Sequence, residues 1–584
     1  MQIDRQQIGK QVKRYVPIAV WLPGYSRAAL RPDVVSGLTV WGVMVPVAMA
    51  YAQMAGMPVQ YGLYAAFAAL LGYAVFGTCR QLQVTTSSTM AIMSAAVVAG
   101  IAMGDPDRYL ALSAALAMTV GAILLAAGLI RLGFISDFLS KSVVTGFVFG
   151  LALNIFVGQL PKLFGVPAGT GDVVEQSVQL VANLEDTNPY TLAVGLAAIL
   201  VIFVVKALWP KLPAGLVALV MGILAVQVFD LTAKGVSVVG SIPTGMPSPG
   251  LPSISLSDIP SLIAGAVGIV FLAVGESIGA ARSFADKHRY EISPDQELIA
   301  LGAANISSGL FQGFTVDASM SSTATADEAG ARTQLSSVVT ALLIIITLIF
   351  LAPLFRNLPN AVLAALVMTS VLGMMNVAEL RRYRASNRAD LLLALVALIG
   401  VALTDVLTGL VIAVVLSLVI ILYRASRPYI AVLGKVPGQA ATYGDQARHP
   451  EYTAIPGLLI ARIDAPLYFL NANLARGQIR QLIAASDPKP QAILFDLGAT
   501  ADLDIASMDM LGSLLIDLDE AGVDVLLAQV RGSVRDRLRK AGLMDEIGED
   551  RVYLSVATAV HDFEQRNQPD APHGTAQLQQ EKAE

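Results

Sequence analysis

Two stretches of the chain set a run of polar residues against the start of a small-residue or apolar helix. The first reads Arg80-Gln81-Leu82-Gln83-Val84-Thr85-Thr86-Ser87-Ser88-Thr89-Met90. The second reads Thr315-Val316-Asp317-Ala318-Ser319-Met320-Ser321-Ser322-Thr323-Ala324-Thr325. A helix beginning at such a point carries unpaired N–H groups and the positive end of its dipole. Two such N-termini facing each other make an anion site. Ser88, Thr89, Ser321, Ser322 and Thr323 would add hydroxyl donors. Any one Ser or Thr is explained as well by helix packing or capping. The matched pair of clusters argues for a site.

Two carboxylates stand beside these clusters. Glu276 lies in the apolar stretch Val270-Phe271-Leu272-Ala273-Val274-Gly275-Glu276-Ser277-Ile278-Gly279. An ionisable group at that depth defaults to a functional role: carrying a proton, holding a cation, or pairing with a base such as Arg282. Asp317 either caps the second helix or biases the site toward cation coupling. Tyr51 and Gln53 follow Pro46, which is expected to break the first helix and free backbone groups beside the site. They are read as pocket wall. Asn154 reads as helix packing, and Asp327 and Glu328 as solvated vestibule charges.

Other chemistry finds little support. Cys79 is the single cysteine, and His288, His449, His561 and His573 are scattered. No nucleophile–base set, metal cluster or phosphate loop is evident, so neither an enzyme nor a cofactor beyond a coupling H⁺ or Na⁺ is expected. No basic run suits a nucleic acid.

The elements that must position these groups follow from hydropathy. The 584 residues are 55% hydrophobic and only 14% charged. The charge deficit falls before Arg427-Pro428, where apolar runs of about 20 residues recur, the length that crosses a hydrocarbon core. Fourteen spans are predicted, near 34–54, 61–77, 86–103, 109–130, 142–158, 190–208, 213–231, 260–281, 295–312, 318–331, 335–355, 359–376, 389–404 and 406–424. The third and tenth are short and polar. Each is third in a set of seven, and seven is odd, so the halves form an inverted repeat. Broken helices at matching places mark binding sites in transporters.

Positive charge in short loops orients the chain. With the N-terminus inside, the inner loops hold Arg80, Arg131, Lys141, Lys206, Lys211, Arg282–Arg289, Arg332 and Arg381–Arg388. The outer loops hold Arg108, Lys162, Lys234 and Arg356. Both termini are expected in the cytoplasm of a multi-pass protein of the inner (plasma) membrane. Residues 1–33, with Lys10, Lys13 and Arg14, read as a cytoplasmic amphipathic lead-in.

The motif Tyr61-Gly62-Leu63-Tyr64-Ala65-Ala66, followed by Tyr73-Ala74-Val75-Phe76-Gly77-Thr78-Cys79-Arg80, resembles the signature of the sulfate permease (SulP) family of anion transporters. So do Glu276-Ser277-Ile278, Arg282-Ser283-Phe284-Ala285, Glu297-Leu298-Ile299-Ala300, Gly302 with Asn305, and Gly330-Ala331-Arg332-Thr333-Gln334. The resemblance implies an α-helical polytopic membrane protein of 14 spans in two inverted seven-span repeats, with a C-terminal α/β STAS domain. Spans 1–4 and 8–11 would form a core domain, and spans 5–7 and 12–14 a gate domain, within 34–428. The substrate, sulfate, bicarbonate, chloride or a dicarboxylate, would sit between the starts of spans 3 and 10. It would move by an elevator-like shift, coupled to H⁺ or Na⁺, in a homodimer. Many family members have Ser-Arg-Thr-Ala where this chain has Ser321-Ser322-Thr323-Ala324. With Ser322 in the arginine's place, the site lacks a fixed cation. A nucleobase carrier of the same fold, or a sensor signalling through the STAS domain, are the competing expectations.

Residues 456–566 alternate strand and helix and resemble a STAS domain, with Ala465-Pro466-Leu467-Tyr468-Phe469-Leu470-Asn471-Ala472 as its opening. Strands are predicted at 458–463, 467–470, 492–497, 523–530 and 552–554. The stretch 429–455 is read as a linker and 567–584 as a disordered tail. Only Asp504 and a displaced Ser507 remain of the phosphorylation loop of related antagonists. A trafficking, dimer-contact or protein-docking role is expected.

Overall fold

The computed structural model describes residues 15–134, 140–169, 171–209, 212–404 and 406–567. Lys10, Lys13 and Arg14 of the lead-in, Lys211, His573 and the tail beyond Asn567 lie outside these residues. Two compact units are present, Met1–Leu418 and Val419–Glu584.

The first unit is helical. Its helices are α1 (Arg27–Met54), α2 (Gln60–Phe76), α3 (Ser88–Ala102), α4 (Pro106–Leu129), α5 (Lys141–Phe164), α6 (Val173–Ala182), α7 (Pro189–Leu208) and α8 (Ala214–Phe229). The second repeat supplies α9 (Ile259–Lys287), α10 (Pro294–Leu310), α11 (Met320–Glu328), α12 (Leu335–Ile346), α13 (Asn360–Leu372), α14 (Val377–Ser386), α15 (Arg388–Leu403) and α16 (Val406–Ala425). Each predicted span falls on one of these helices. Among the described residues, seven helical segments are long and apolar enough to cross a membrane by themselves. Helices α6 and α14 are additions. α14 carries Glu379, which pairs with Lys141 at 2.6 Å and Arg382 at 3.0 Å, so the expected basic inner loop is itself helical.

Two packed groups make up this unit. Helices α1, α2, α4, α10 and α12 pack on one another, with α3, α9 and α11 among them; α5, α7, α8, α13 and α15 form the second group. Close approach, not side-chain bulk, sets the first group. A Cβ at Gly62 would lie 1.9 Å from the Ala48 carbonyl oxygen, so only glycine lets α2 meet α1 there. Gly121 of α4 and Gly302 of α10 face each other in the same way, each backbone oxygen within 2.8 Å of the other's would-be Cβ. Pro46 does not break the first helix. α1 runs unbroken through Pro32 and Pro46, because neighbouring helices hold it on both sides.

The third and tenth spans are half-helices. α3 has 15 residues and α11 has 9, about 22 and 13 Å at the helical rise, short of a hydrocarbon core. The missing length is extended chain. Strand β1 (Val84–Thr85) pairs antiparallel with β2 (Asp317–Ala318), Val84 opposite Ala318 and Thr85 opposite Asp317.

The second unit is a six-stranded sheet in the order β4-β3-β5-β6-β7-β8. Its strands are β3 (Ile430–Lys435), β4 (Tyr443–Asp445), β5 (Leu458–Ile463), β6 (Ala492–Asp496), β7 (Asp524–Ala528) and β8 (Val552–Tyr553). Strands β5 to β8 are parallel and β3 is antiparallel to β5. Helices α17 (Ala472–Ala485), α18 (Ile505–Glu520), α19 (Gly532–Lys540), α20 (Leu543–Ile547) and α21 (Val556–Arg566) complete the unit. Two expectations are corrected. The 429–455 stretch is not a linker: Ala431 and Leu433 alternate inward, and β3 and β4 extend the sheet. The predicted strand at 467–470 is absent. Leu467 makes one isolated bridge to Leu503, and the chain then turns into α17.

Candidate functional site

The half-helices meet through their backbones. Ser319 N–H donates to the Gln83 carbonyl at 3.0 Å, and Gln83 N–H donates to the Thr323 hydroxyl at 3.0 Å. Thr323 passes its own proton to the Ser319 carbonyl at 2.7 Å. Its one proton is therefore already used in joining the half-helices, which favours a structural link over a substrate ligand at Thr323. Ser87 caps α3 by accepting from Met90 N–H, and Ser319 caps α11 by accepting from Ser322 N–H. Asp317 is not the cap; it lies within β2. The first two N–H groups of each half-helix, at Ser88, Thr89, Met320 and Ser321, are the ones a helix start leaves without an intrahelical partner. They point the same way as the dipoles, toward the junction.

Side chains gather on this junction from several elements. Tyr51 of α1 stands beside Ser88 and Ser370, and within the field of Asp317. Ser88 Oγ lies 3.5 Å from Met374 Sδ. Ser322 is buried and its hydroxyl accepts from Ser319 Oγ at 3.1 Å; Ser321 and Met320 are exposed. Thr89 is buried in the first turn of α3. Gln53 is elsewhere. Its amide bonds to Asn360 and Lys162, because two residues along a helix turn a side chain to the opposite face.

The buried carboxylates divide into two kinds. Glu297 of α10, 1% exposed, accepts from Tyr73 OH at 2.6 Å, Thr78 N–H at 2.8 Å, Cys79 N–H at 3.1 Å and the Thr78 hydroxyl. Asp33 accepts from Arg332 N–H at 2.7 Å, Thr333 N–H at 3.1 Å, the Thr333 hydroxyl at 2.7 Å and Tyr25 OH at 3.0 Å. These acids are saturated with donors, and each clamps a turn next to a half-helix. Asp317 is the opposite case. It is 0% exposed, and among the described residues no close hydrogen bond satisfies its oxygens, with only the Ser87 hydroxyl standing beside them. The carboxyl group of Glu276 faces it. Asp327 differs from its expected solvated state: its side chain is buried, and it pairs with Lys287 and His288, each at 2.5 Å. Among the described residues no group of three or more metal-ligating side chains forms.

Several positioning groups carried no chemical signal of their own. Ser277 Oγ accepts from Ala318 N–H at 3.0 Å and so ties β2 to α9 one residue from Glu276. Asn305 brackets Val316, accepting from its N–H at 3.0 Å and donating to its carbonyl at 2.9 Å. Gln334 Nε2 donates to the carbonyls of Cys79 and Leu82 at 2.8 and 2.9 Å. Their signal was membership in the short motifs 276–278, 302–305 and 330–334. Those motifs prove to be the clamps on the two extended stretches.

A model of the sulfate permease family matches residues 30–397, and one of the STAS domain matches residues 449–559. The chain belongs to the sulfate permease family. Its relatives include a probable sulfate transporter of Mycobacterium tuberculosis (strain H37Rv), 35% identical over 554 residues, which cover 94% of this chain and 99% of the relative. Sulfate transporter 1.3 of Arabidopsis thaliana is 28% identical over 572 residues, 94% of this chain and 87% of the relative. Among solved structures, the murine solute carrier 26 family member A9 anion transporter superposes with a TM-score of 0.87 at 23% identity, over 96% of this chain and 95% of that one. The transmembrane domain of the cyanobacterial bicarbonate transporter BicA gives 0.60 at 23% identity, over 67% of this chain and 98% of that domain. The junction of α3 and α11 lies in the first of the two packed groups.

Proposed function

We propose that this sulfate permease carries a small anion across the membrane together with a cation, by an elevator-like slide of the core past the gate. The observation that carries the reading is the contrast among the buried acids. Glu297 and Asp33 are saturated with donors, whereas Asp317 has at most the Ser87 hydroxyl beside it and faces Glu276. Two carboxylates in that position cannot both stay ionised without a cation between them. One shared proton, or one Na⁺, completes the pair. A bound anion is then held by the free N–H groups at the starts of α3 and α11, with the hydroxyls of Ser88, Ser321 and Ser322 at its edge. Ser322 supplies no fixed charge, so the cation on the acid pair offsets the anion. Coupling follows: neither ion enters this low-dielectric site cheaply alone.

Sulfate is the first anion to test, because the relatives matched over nearly their whole length are named sulfate transporters. Bicarbonate and dicarboxylates are the alternatives. We place both termini in the cytoplasm on the charge of the short loops. For the STAS unit we propose a contact role, in dimerisation or protein docking. Asp504 accepts from Ser507 N–H at 2.8 Å, Ser507 Oγ at 2.7 Å and Phe469 N–H at 2.7 Å, which occupies both residues left of the phosphorylation loop.

Proteoliposomes test the transport reading. Labelled sulfate, bicarbonate and fumarate are offered under separate proton and sodium gradients. Uptake of one anion driven by one gradient, and loss of that drive in Glu276→Gln, is the expected result. Gradient-driven uptake that persists unchanged in Glu276→Gln overturns the coupling role. Competition by uracil or xanthine instead of oxyanions overturns the substrate class.

A further inference from the structure

Lys162 of α5 is half-buried, and among the described residues no carboxylate pairs with it. Its ammonium touches the side-chain oxygen of Gln53 at 3.4 Å. Gln53 Nε2 in turn donates to the Asn360 amide oxygen at 2.9 Å. Asn360 is the first residue of α13, and no side chain caps that 13-residue helix at Pro359. Two donors thus converge on the gate, the Lys162 ammonium and an Asn360 amide able to turn its NH₂ outward, at a helix start whose first N–H already donates to the Ser237 carbonyl at 3.0 Å. The acceptor at that point is a neutral amide oxygen, which the core supplies.

A half-buried cation with no counter-charge is poorly satisfied by one long amide contact. A small oxyanion satisfies it better, through charge-assisted bonds to the ammonium and to Asn360. We propose that Lys162 and the Asn360 side-chain amide form a second anion-docking site on the outer approach, and that Gln53 is the core's plug in it. The Gln53 oxygen stands where an anion oxygen would accept from Lys162. Core and gate contribute different halves of this contact, so a slide of the core withdraws Gln53 and leaves the cationic half open to the outside. Gln53 is only two residues beyond Tyr51 on α1, about 3 Å along the axis. An anion captured at Lys162 is therefore close in depth to the central junction, where Tyr51 stands beside Ser88.

The inference rests on the transport reading and on its orientation. Its test is sided: concentration dependence of labelled-sulfate uptake in right-side-out and in inside-out membrane vesicles, for full-length protein. Lys162→Gln should raise the KM seen from the outer face by about tenfold, the scale of one lost charge-assisted contact. The KM from the inner face should not change. Lys162→Arg should retain the wild-type value. Asn360→Asp, which neutralises the site without removing the lysine, should reproduce the outer-face defect and carries the test if Lys162→Gln does not fold. Equal changes on both faces, or none on either, overturn the docking site while leaving transport standing. A wild-type protein that moves no labelled anion overturns the transport reading and this inference with it.

Discussion

Gln83 donates its backbone N–H to the hydroxyl of Thr323 at 3.0 Å, across 240 residues of sequence. Thr323 donates onward to the Ser319 carbonyl. One hydroxyl thereby fixes the register of the two half-helices on which the candidate site depends. Thr323→Val keeps the shape and leaves the buried Gln83 N–H without an acceptor, a cost of about 1–3 kcal/mol. It should lower the melting temperature and the maximal uptake rate, whereas Thr323→Ser should behave like wild type. A pure rise in KM with unchanged thermal stability would return Thr323 to the list of substrate ligands.

Ser322 stands buried in the first turn of α11, where many family members carry arginine. Ser322→Arg supplies the fixed cation that the site lacks. Uptake of anion in the absence of any imposed cation gradient should rise severalfold, and its dependence on the coupling cation should weaken. An unchanged cation requirement counts against charge compensation as the reason for coupling.

Asp317 and Glu276 face each other, with only the Ser87 hydroxyl beside the Asp317 oxygens. Asp317→Asn converts the pair to one acid beside an amide that can donate to it. Cation-driven uptake should fall by more than about tenfold, with the folded protein retained, since the amide oxygen can still accept from the Ser87 hydroxyl. Full gradient-driven uptake in Asp317→Asn shows that Glu276 alone is sufficient.

Gly62 packs its α-carbon against the Ala48 carbonyl, and an added methyl would lie 1.9 Å from that oxygen. Both partners are backbone, so neither can rotate away. Gly62→Ala should cost at least the ~1–3 kcal/mol of an overpacked core, seen as a large drop in monodisperse protein on gel filtration. Wild-type yield and melting temperature would mean that α1 and α2 can separate locally.

Asp504 of the STAS unit offers a pH test. Burial opposes its charge, but the donors from Ser507 and Phe469 outweigh that and hold its carboxyl below the usual carboxylate range. A depressed folded value means that the stabilisation is fully present above the ordinary value near about 4. It is lost as pH falls through the lower, folded value. Hydrogen exchange of peptides spanning 466–510 in the full-length protein should therefore show protection that drops below about pH 4. In Asp504→Asn the drop should be shallower. Identical pH profiles remove Asp504 as the source.

The sequence by itself determined the membrane class, the places of the helices, the two polar half-spans and the family. Each of those is written locally: hydropathy over about 20 residues, hydroxyl clusters next to helix starts, and short motifs. The strand at 430–435 and the three-residue edge strand at 443–445 escaped because both are only partly buried, and nothing local separates them from a linker. The same limit governs the site. Gln53 looked like pocket wall until its partner proved to be Asn360, 307 residues away. Thr323 looked like a ligand until Gln83 was seen to use it. Asp317, Glu297 and Asp33 are alike as residue types; only the folded chain surrounds two of them with donors and leaves the third with little more than the Ser87 hydroxyl beside it. Several of the deciding hydrogen bonds join residues 219 to 307 positions apart, so the meaning of a polar residue here is decided by what the folded chain brings against it.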